Sequence, residues 1–339
     1  MLSDRLTPAD ALALYRLPLE ELGALANVRR REVTDPRIVT YIIDRNINYT
    51  NVCDVRCKFC AFNRPDGYVI SREELDQKMQ ELADNGGVQV LLQGGHHPTL
   101  GLDWYLDTLA HLRERFPQIG LHGFSPPEFQ HFARLFNMPL REVLAKFKDA
   151  GLASIPGGGA EILVDRVRQQ IAPRKCNTDQ WLEVMGIAHE LGMSTSATMM
   201  FGHVESVEDR IEHLHRLREQ QDRSGGFTAF ICWTFQPANT NLSSLQPVGA
   251  IEYLRTLALS RLYLDNFQNV QCSWVTQGPK IVQISLEYGA NDFGSVMMEE
   301  NVVSSSGTHF ALQKEEIRAI IRKAGYEPRL RDTRYRLLR

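Results

Sequence analysis

The 339-residue sequence contains no run of about 20 apolar residues, so no membrane-spanning helix is expected. It has no basic excess: the formal charge of −3 is unlike that of a general nucleic-acid binder, and no nucleic-acid partner is expected. The opening stretch MLSDRLTPADALALYRL mixes acids among its apolar residues and lacks a signal-peptide core, which points to a cytoplasmic protein. No low-complexity tract or Ser/Gly linker divides the chain, and no sequence repeat is visible. No G-x-G-x-x-G follows the first strand-like run, which argues against the dinucleotide-binding form of an open sheet. Cysteines are few, six in all, and three of them fall within eight residues. In a reducing cytosol that clustering signals metal or redox chemistry rather than disulfides. Cys176, Cys232 and Cys272 are scattered and read as small buried hydrophobes.

What the chain does have is alternation. Short β-branched runs fall at 39–44, 88–92, 120–124, 152–156, 196–201, 227–233, 269–274 and, weakly, 292–296. Amphipathic stretches lie between them; in LDWYLDTLAHLRERF, Leu102, Leu106, Leu109, Leu112 and Phe116 recur near helical spacing. Strand–helix alternation of this kind means a parallel sheet, hence the α/β class. At this length a (β/α)8 TIM-type barrel is the favoured closed form, with a doubly wound open sheet as the alternative. Residues 1–35 are expected to be a helical extension, its first helix capped by Thr7 before Pro8. Residues 36–310 are expected to be the barrel, and 311–339 a helix followed by a basic tail.

The unusual residues share one location. NYTNVCDVRCKFC, QGGHHP, SPPE, GGGAE, GHVE and TFQPANT each follow one of the first six runs, where a strand ends and a βα loop begins. In a barrel those loops form one rim, which is where active sites sit. Cys53-x3-Cys57-x2-Cys60 is the strongest of these signals. Three thiolates on a compact loop can hold three corners of an iron–sulfur cubane and leave the fourth iron open. A structural zinc site is the rival; it usually takes four protein ligands, commonly from two Cys pairs, and no second pair exists here. A non-catalytic iron–sulfur electron carrier and a zinc-binding module are the alternatives from other classes. Three glycines before a helix, as in Gly157-Gly158-Gly159, can cradle a phosphate. Glu205 can act as a helix N-terminal acid, and Asn239, Thr240 and Asn241 can make a turn.

With Phe59 in place, C-x3-C-x-aromatic-C resembles the signature of the radical S-adenosylmethionine (SAM) superfamily. The resemblance implies a 4Fe-4S cluster on Cys53, Cys57 and Cys60, with SAM as co-substrate chelated by the unique iron. One-electron reduction then yields a 5′-deoxyadenosyl radical that abstracts a hydrogen atom. Gln93, Gly94 and Gly95 resemble the family's second-strand Gly-Gly-Glu motif, with His96 where the acid often stands. The resemblance implies backbone contacts from this loop to SAM, so a Cβ branch at Gly95 is expected to weaken SAM binding while leaving the cluster in place. Gly202 and Glu205 resemble parts of the element that supports adenine. Glu161 looks like a polar SAM contact, and Arg174 and Lys175 are placed to meet the SAM carboxylate.

From about Arg45 to Gly307 the chain resembles a narrower group, the radical enzymes of the futalosine route to menaquinone and their deazaflavin-synthase relatives. RNINYTNVC, LLQGGHHP, SIPGGGAEILVDRVR, GGFTAFICWTFQPANT and GANDFGSVMMEENVV carry this likeness. SPPE together with W-x-FQP-x-NT looks most like the cyclic dehypoxanthine futalosine synthases; the aminofutalosine synthases and deazaflavin (FO) synthases are the alternatives. The resemblance implies removal of the ribose C4′ hydrogen of dehypoxanthine futalosine, attack of the carbon radical on the benzoate ring, and loss of a proton and an electron. It also implies a low-potential donor such as flavodoxin or ferredoxin. A base must take the ring proton; His96 is the expected residue and Glu128 the next. Arg45 and Arg56 are the expected carboxylate donors, Asn239 and Asn241 the expected ribose contacts, and Trp233 the residue expected to flank the ring.

Overall fold

The structure, a computed structural model, describes residues 5–307 and 310–338. The chain begins with α1 (Pro8–Tyr15) and α2 (Leu19–Val33). Thr7 caps α1 as expected: its hydroxyl accepts from Asp10 N–H, and Asp10 accepts from Thr7 N–H. Strands and helices then alternate: β1 (Ile38–Ile42), β2 (Asp44–Asn48), α3 (Arg72–Asp84), β3 (Gln89–Gln93), α4 (Leu102–Arg115), β4 (Gly120–Gly123), α5 (Pro126–Leu135), α6 (Leu140–Ala150) and β5 (Ser154–Ile155). The second half continues with α7 (Asp165–Ile171), α8 (Thr178–Glu190), β6 (Ser194–Phe201), α9 (Val207–Ser224), β7 (Phe227–Thr234), α10 (Ala250–Tyr263) and β8 (Asn269–Gln271). It ends with α11 (Trp274–Ser285, broken at Gly278), β9 (Asp292–Ser295), α12 (Lys314–Lys323) and β10 (Glu327–Leu330).

All named strands pair in parallel, in the order β10-β1-β9-β8-β7-β6-β5-β4-β3-β2. Only Ile43 separates β1, which pairs with β9, from β2, which pairs with β3. Beyond β9 the amides of Val296 and Met298 donate to Ile42 and Asp44 carbonyls at 2.9 and 3.1 Å. The sheet therefore curls so that β9 and β3 flank this continuous stretch, giving the curled, barrel-type α/β sheet expected from the alternation. The first expected strand, 39–44, is really two segments and reaches Asn48. It is longer because its halves have different neighbours. Core side chains such as Val39, Ile47, Val90 and Leu121 are fully or almost fully buried. Each such side chain contributes about 1.5–3 kcal/mol.

The two N-terminal helices pack outside the barrel. Arg30 of α2 is buried and donates to the Ala290 and Ile38 carbonyls at 2.8 and 3.0 Å, which fastens the extension to the wall. The expected basic tail after α12 takes a different form. β10 pairs with β1, and Arg331, Thr333 and Tyr335 line the floor of the barrel cavity. Arg331 forms a two-pronged pair with Asp292 at 2.6 and 3.0 Å and lies over the Tyr335 ring at 3.7 Å.

Candidate active site

The three clustered cysteines leave the end of β2 on a loop that neighbouring loops hold in place. Lys58 N–H donates to Ile171 O at 2.8 Å, Asn241 N–H to Lys58 O at 2.9 Å, and Asp54 N–H to His96 O at 3.3 Å. Cys53, Cys57 and Cys60 are unpaired and partly exposed, whereas Cys176, Cys232 and Cys272 are buried. Burial pushes the Cys53 thiol up, against backbone hydrogen bonds from His96, Val55 and Arg56. Burial likewise pushes Cys57 up to about 12, while Lys175 pulls the other way. The Cys53 and Cys57 thiols each lie within electrostatic reach of the other two or of Cys60, so their thiolate forms repel. Desolvated thiols gathered in this way suit a bound cationic centre, and the donor set is that of iron–sulfur ligation.

The QGGHHP loop packs directly on this one. A Cβ on Gly95 would lie 2.1 Å from Val52 O and 2.8 Å from Cys53 Cβ, and one on Gly94 would strike the Tyr49 ring at 2.4 Å. The glycine at 95 thus makes room for the cysteine loop itself, which changes the expected effect of substitution there: a Cβ displaces the cluster ligands as well as any SAM contact. Glu128, at the start of α5, is buried and accepts from Tyr49 O–H at 2.7 Å, Ser125 O–H at 2.5 Å and Gly94 N–H at 3.2 Å. Burial pushes its carboxyl up to about 7. His96 is also buried; its ring lies 4.9 Å from that of His131, and burial holds it well below the ordinary histidine range. Neither His96 nor Glu128 is among the residues that line the central cavity; both side chains are buried beside the glycine loop. Both strand-end loops were legible in the sequence, but whether a side chain turns into the barrel or into its wall was not.

Further round the rim, Glu161 is buried beside Lys175, whose ammonium donates to it at 2.7 Å and sits 5.0 Å from the centre of the Phe59 ring. Lys175 is the residue that ties the GGGAE loop to the cysteine loop; Arg174 is exposed and reaches only Asp54 O, at 3.4 Å. Glu205 folds its own loop: it accepts from Gly202 N–H at 2.7 Å and His203 N–H at 2.9 Å and pairs with Arg210 at 2.8 Å. Gly202 has φ +90°, a conformation in which a side chain would also meet Val248.

Inside the barrel lies a cavity of about 290 Å³. Gln93, Gly158, Thr198 and Trp233 line it near the rim, and Asp44, Asn46, His122 and Gln271 are also in its wall. Trp233 also borders a smaller space shared with Phe59 and Cys60, so it stands between the cysteine loop and the cavity. Two expected substrate residues lie elsewhere. Arg45 alternates with inward Asp44 and Asn46 and turns outward, donating to Glu299 at 2.7 Å and Glu81 at 2.6 Å. Arg56 is exposed in the cysteine loop with φ 52°. Asn239 donates to Ser305 O at 3.0 Å, and Asn241 is held by its backbone against Lys58; both are exposed. The inward residues Asp44 and Asn46 carried no clear sign, because charged Arg45 stands between them and masks the alternation. Arg331 carried none either.

A parallel barrel with a three-cysteine loop at the C-terminal mouth of its first wall strand, covered by a glycine loop, is the architecture of a radical SAM enzyme. The chain belongs to that superfamily: residues 47–217 match the Radical SAM superfamily and residues 224–339 the CofH/MqnC C-terminal region. It is 45% identical, over 99% of this chain and 92% of the relative, to the cyclic dehypoxanthine futalosine synthase of Halalkalibacterium halodurans. It is also 40% identical, over 98% of this chain and 96% of the relative, to the 5-amino-6-(D-ribitylamino)uracil–L-tyrosine 4-hydroxyphenyl transferase of Methanococcoides burtonii. Among solved structures, methylornithine synthase (PylB) superposes with a TM-score of 0.76 at 18% identity, covering 96% of this chain and 95% of that one, a likeness of fold.

Proposed function

We propose that this chain cyclises dehypoxanthine futalosine in menaquinone biosynthesis, with SAM consumed as co-substrate. The observation that carries the reading is the 45% identity, over 99% of this chain, to a cyclic dehypoxanthine futalosine synthase, together with a cysteine loop at the rim of the barrel cavity. When bound, a 4Fe-4S cluster and SAM supply the 5′-deoxyadenosyl radical that takes the substrate's C4′ hydrogen. The residues present fit that pair. Cys53, Cys57 and Cys60 would hold the cluster, and Gly94 and Gly95 let their backbone pack closely against Tyr49 and the cysteine loop. Glu161, held by Lys175, and the loop folded by Glu205 border the SAM side.

The chain's further task is to orient the substrate and exclude water. Trp233 presents an aromatic face between the cysteine loop and the cavity. Arg331, Thr333 and Tyr335 close the floor. Glu300 gathers the amides of Val302, Val303 and Ser304 at 2.8–2.9 Å and so shapes the loop whose Val302 and Val303 line the cavity. Glu128 holds the glycine loop from behind by accepting from Gly94 N–H. The electron comes from a low-potential carrier such as flavodoxin or ferredoxin. Anaerobic turnover with dehypoxanthine futalosine, SAM and a reductant is the test: 5′-deoxyadenosine and the cyclised product should form in equal amounts. Failure with this substrate, alongside turnover of an aminofutalosine synthase or deazaflavin synthase substrate, overturns the reading.

A further inference from the structure

Buried polar atoms in a folded protein almost always have partners, so an orphan asks for an explanation. Among the described residues, eight buried side-chain polar atoms lack a hydrogen-bond partner, and of these only Asn46 Oδ1 belongs to a residue lining the central cavity. Asn46 is 5% exposed and lies midway along β2, opposite Leu91 of β3. The pair above it, Asn48 and Gln93, is the last before the cysteine and glycine loops begin. Asn46 therefore sits one inward-facing layer below the rim, beneath the residues expected around SAM.

The rest of the lining narrows what can bind there. The charged groups of the wall are already engaged. Asp44 accepts from Ser295 and from Gln89 at 2.9 Å, Arg331 is paired with Asp292, and Glu300 holds backbone amides. What remains free to meet a ligand is neutral. An amide offers both an acceptor and a donor, and a sugar hydroxyl satisfies both, donating to Oδ1 and accepting from Nδ2. A carboxylate only accepts and would leave Oδ1 bare.

We propose that Asn46 is a substrate-binding residue whose amide takes a hydroxyl of the substrate's ribosyl group, holding the sugar below the cysteine loop for hydrogen abstraction. The inference rests on the function proposed above. SAM carries the same chemistry in its own ribose; the depth of Asn46 assigns it to the other substrate.

An orphaned buried amide is a burden on the ligand-free protein, so removing it should not weaken the fold. Asn46→Leu is the main variant and Asn46→Ala the smaller one. Both are expected to keep full cluster iron, wild-type SAM affinity by calorimetry and a melting temperature no lower than wild type, while KM for dehypoxanthine futalosine rises about tenfold or more. A substrate lacking the bonded ribose hydroxyl should be discriminated against by the wild type and not by the variants, closing a double-mutant cycle. Unchanged KM in both variants overturns the proposal. So does weakened SAM binding with unchanged KM, which gives the hydroxyl to SAM. Loss of melting temperature and cluster in both variants also overturns it, by making Asn46 a structural residue. Wild-type turnover of the parent substrate in the same assay separates all of these from failure of the functional reading.

Discussion

Glu128 gives the sharpest test of how the site is built. Its carboxyl accepts from Tyr49, Ser125 and Gly94, all in a buried wall. Glu128→Ala strands those donors, and at about 1–3 kcal/mol for an unsatisfied buried group the loss should be on the order of 4 kcal/mol. Glu128→Gln keeps one oxygen for Tyr49 and Gly94, and the Ser125 hydroxyl can turn to accept from the new amide. It should cost about 1 kcal/mol or less at low pH. The pH dependence has a definite sign. Burial raises the carboxyl from 4.5 to about 7 in the folded state, so its contribution is fully present below pH 4.5 and is lost as pH rises through 7. The loss amounts to about 3 kcal/mol. Melting curves of wild type and Glu128→Gln should therefore cross near pH 5: the variant lower near pH 4 and higher near pH 8. In turnover, a positioning role predicts that SAM cleavage and cyclised product fall together. A Glu128→Gln enzyme that makes 5′-deoxyadenosine at the wild-type rate and no cyclised product would refute this reasoning and restore Glu128 as the proton acceptor.

Cys53→Ala, Cys57→Ala and Cys60→Ala should each lose the cluster absorbance and SAM cleavage, whereas Cys176→Ala, at a buried cysteine away from the loop, should keep both; iron and sulfide analysis reads the difference. Gly95→Ala should lower cluster content as well as SAM binding, because the new Cβ meets Val52 O at 2.1 Å; full iron with weakened SAM binding would return the glycine to a SAM-contact role alone. Arg331→Ala leaves Asp292 buried without its partner and should cost about 3–5 kcal/mol, visible as a large drop in melting temperature.

The sequence announces the barrel because several wall strands carry a short apolar or β-branched run and six of the rim loops carry a motif. The features it conceals depend on pairing at long range. β10 has no strong strand pattern, since its burial is only partial, and it exists because β1 offers it an edge. β2 was hidden because Asp44, Arg45, Asn46 and Asn48 are poor strand formers in isolation; the barrel interior accepts them as polar lining. At the site, residue types and their loops could be read from spacing, while side-chain direction could not. Arg45 differs from Asn46 by one position and lies on the other face of the wall. His96 and Glu128 follow rim strands and still turn into the packing behind the rim.

The pairing of β1 with β10 also bears on how the molecule is made. Ile38 meets Glu327, so one of the earliest strands synthesised waits nearly 290 residues for its neighbour. At about 5–20 residues per second that is roughly 15–60 s of ribosome time. Through that interval the barrel has no floor, and until residue 241 is made the cysteine loop also lacks the segment that pins Lys58. Stable cluster loading is therefore expected only once β10 has been made. Nascent chains arrested before residue 327 should remain protease-sensitive and take up little iron, and release of the remaining segment should change both at once.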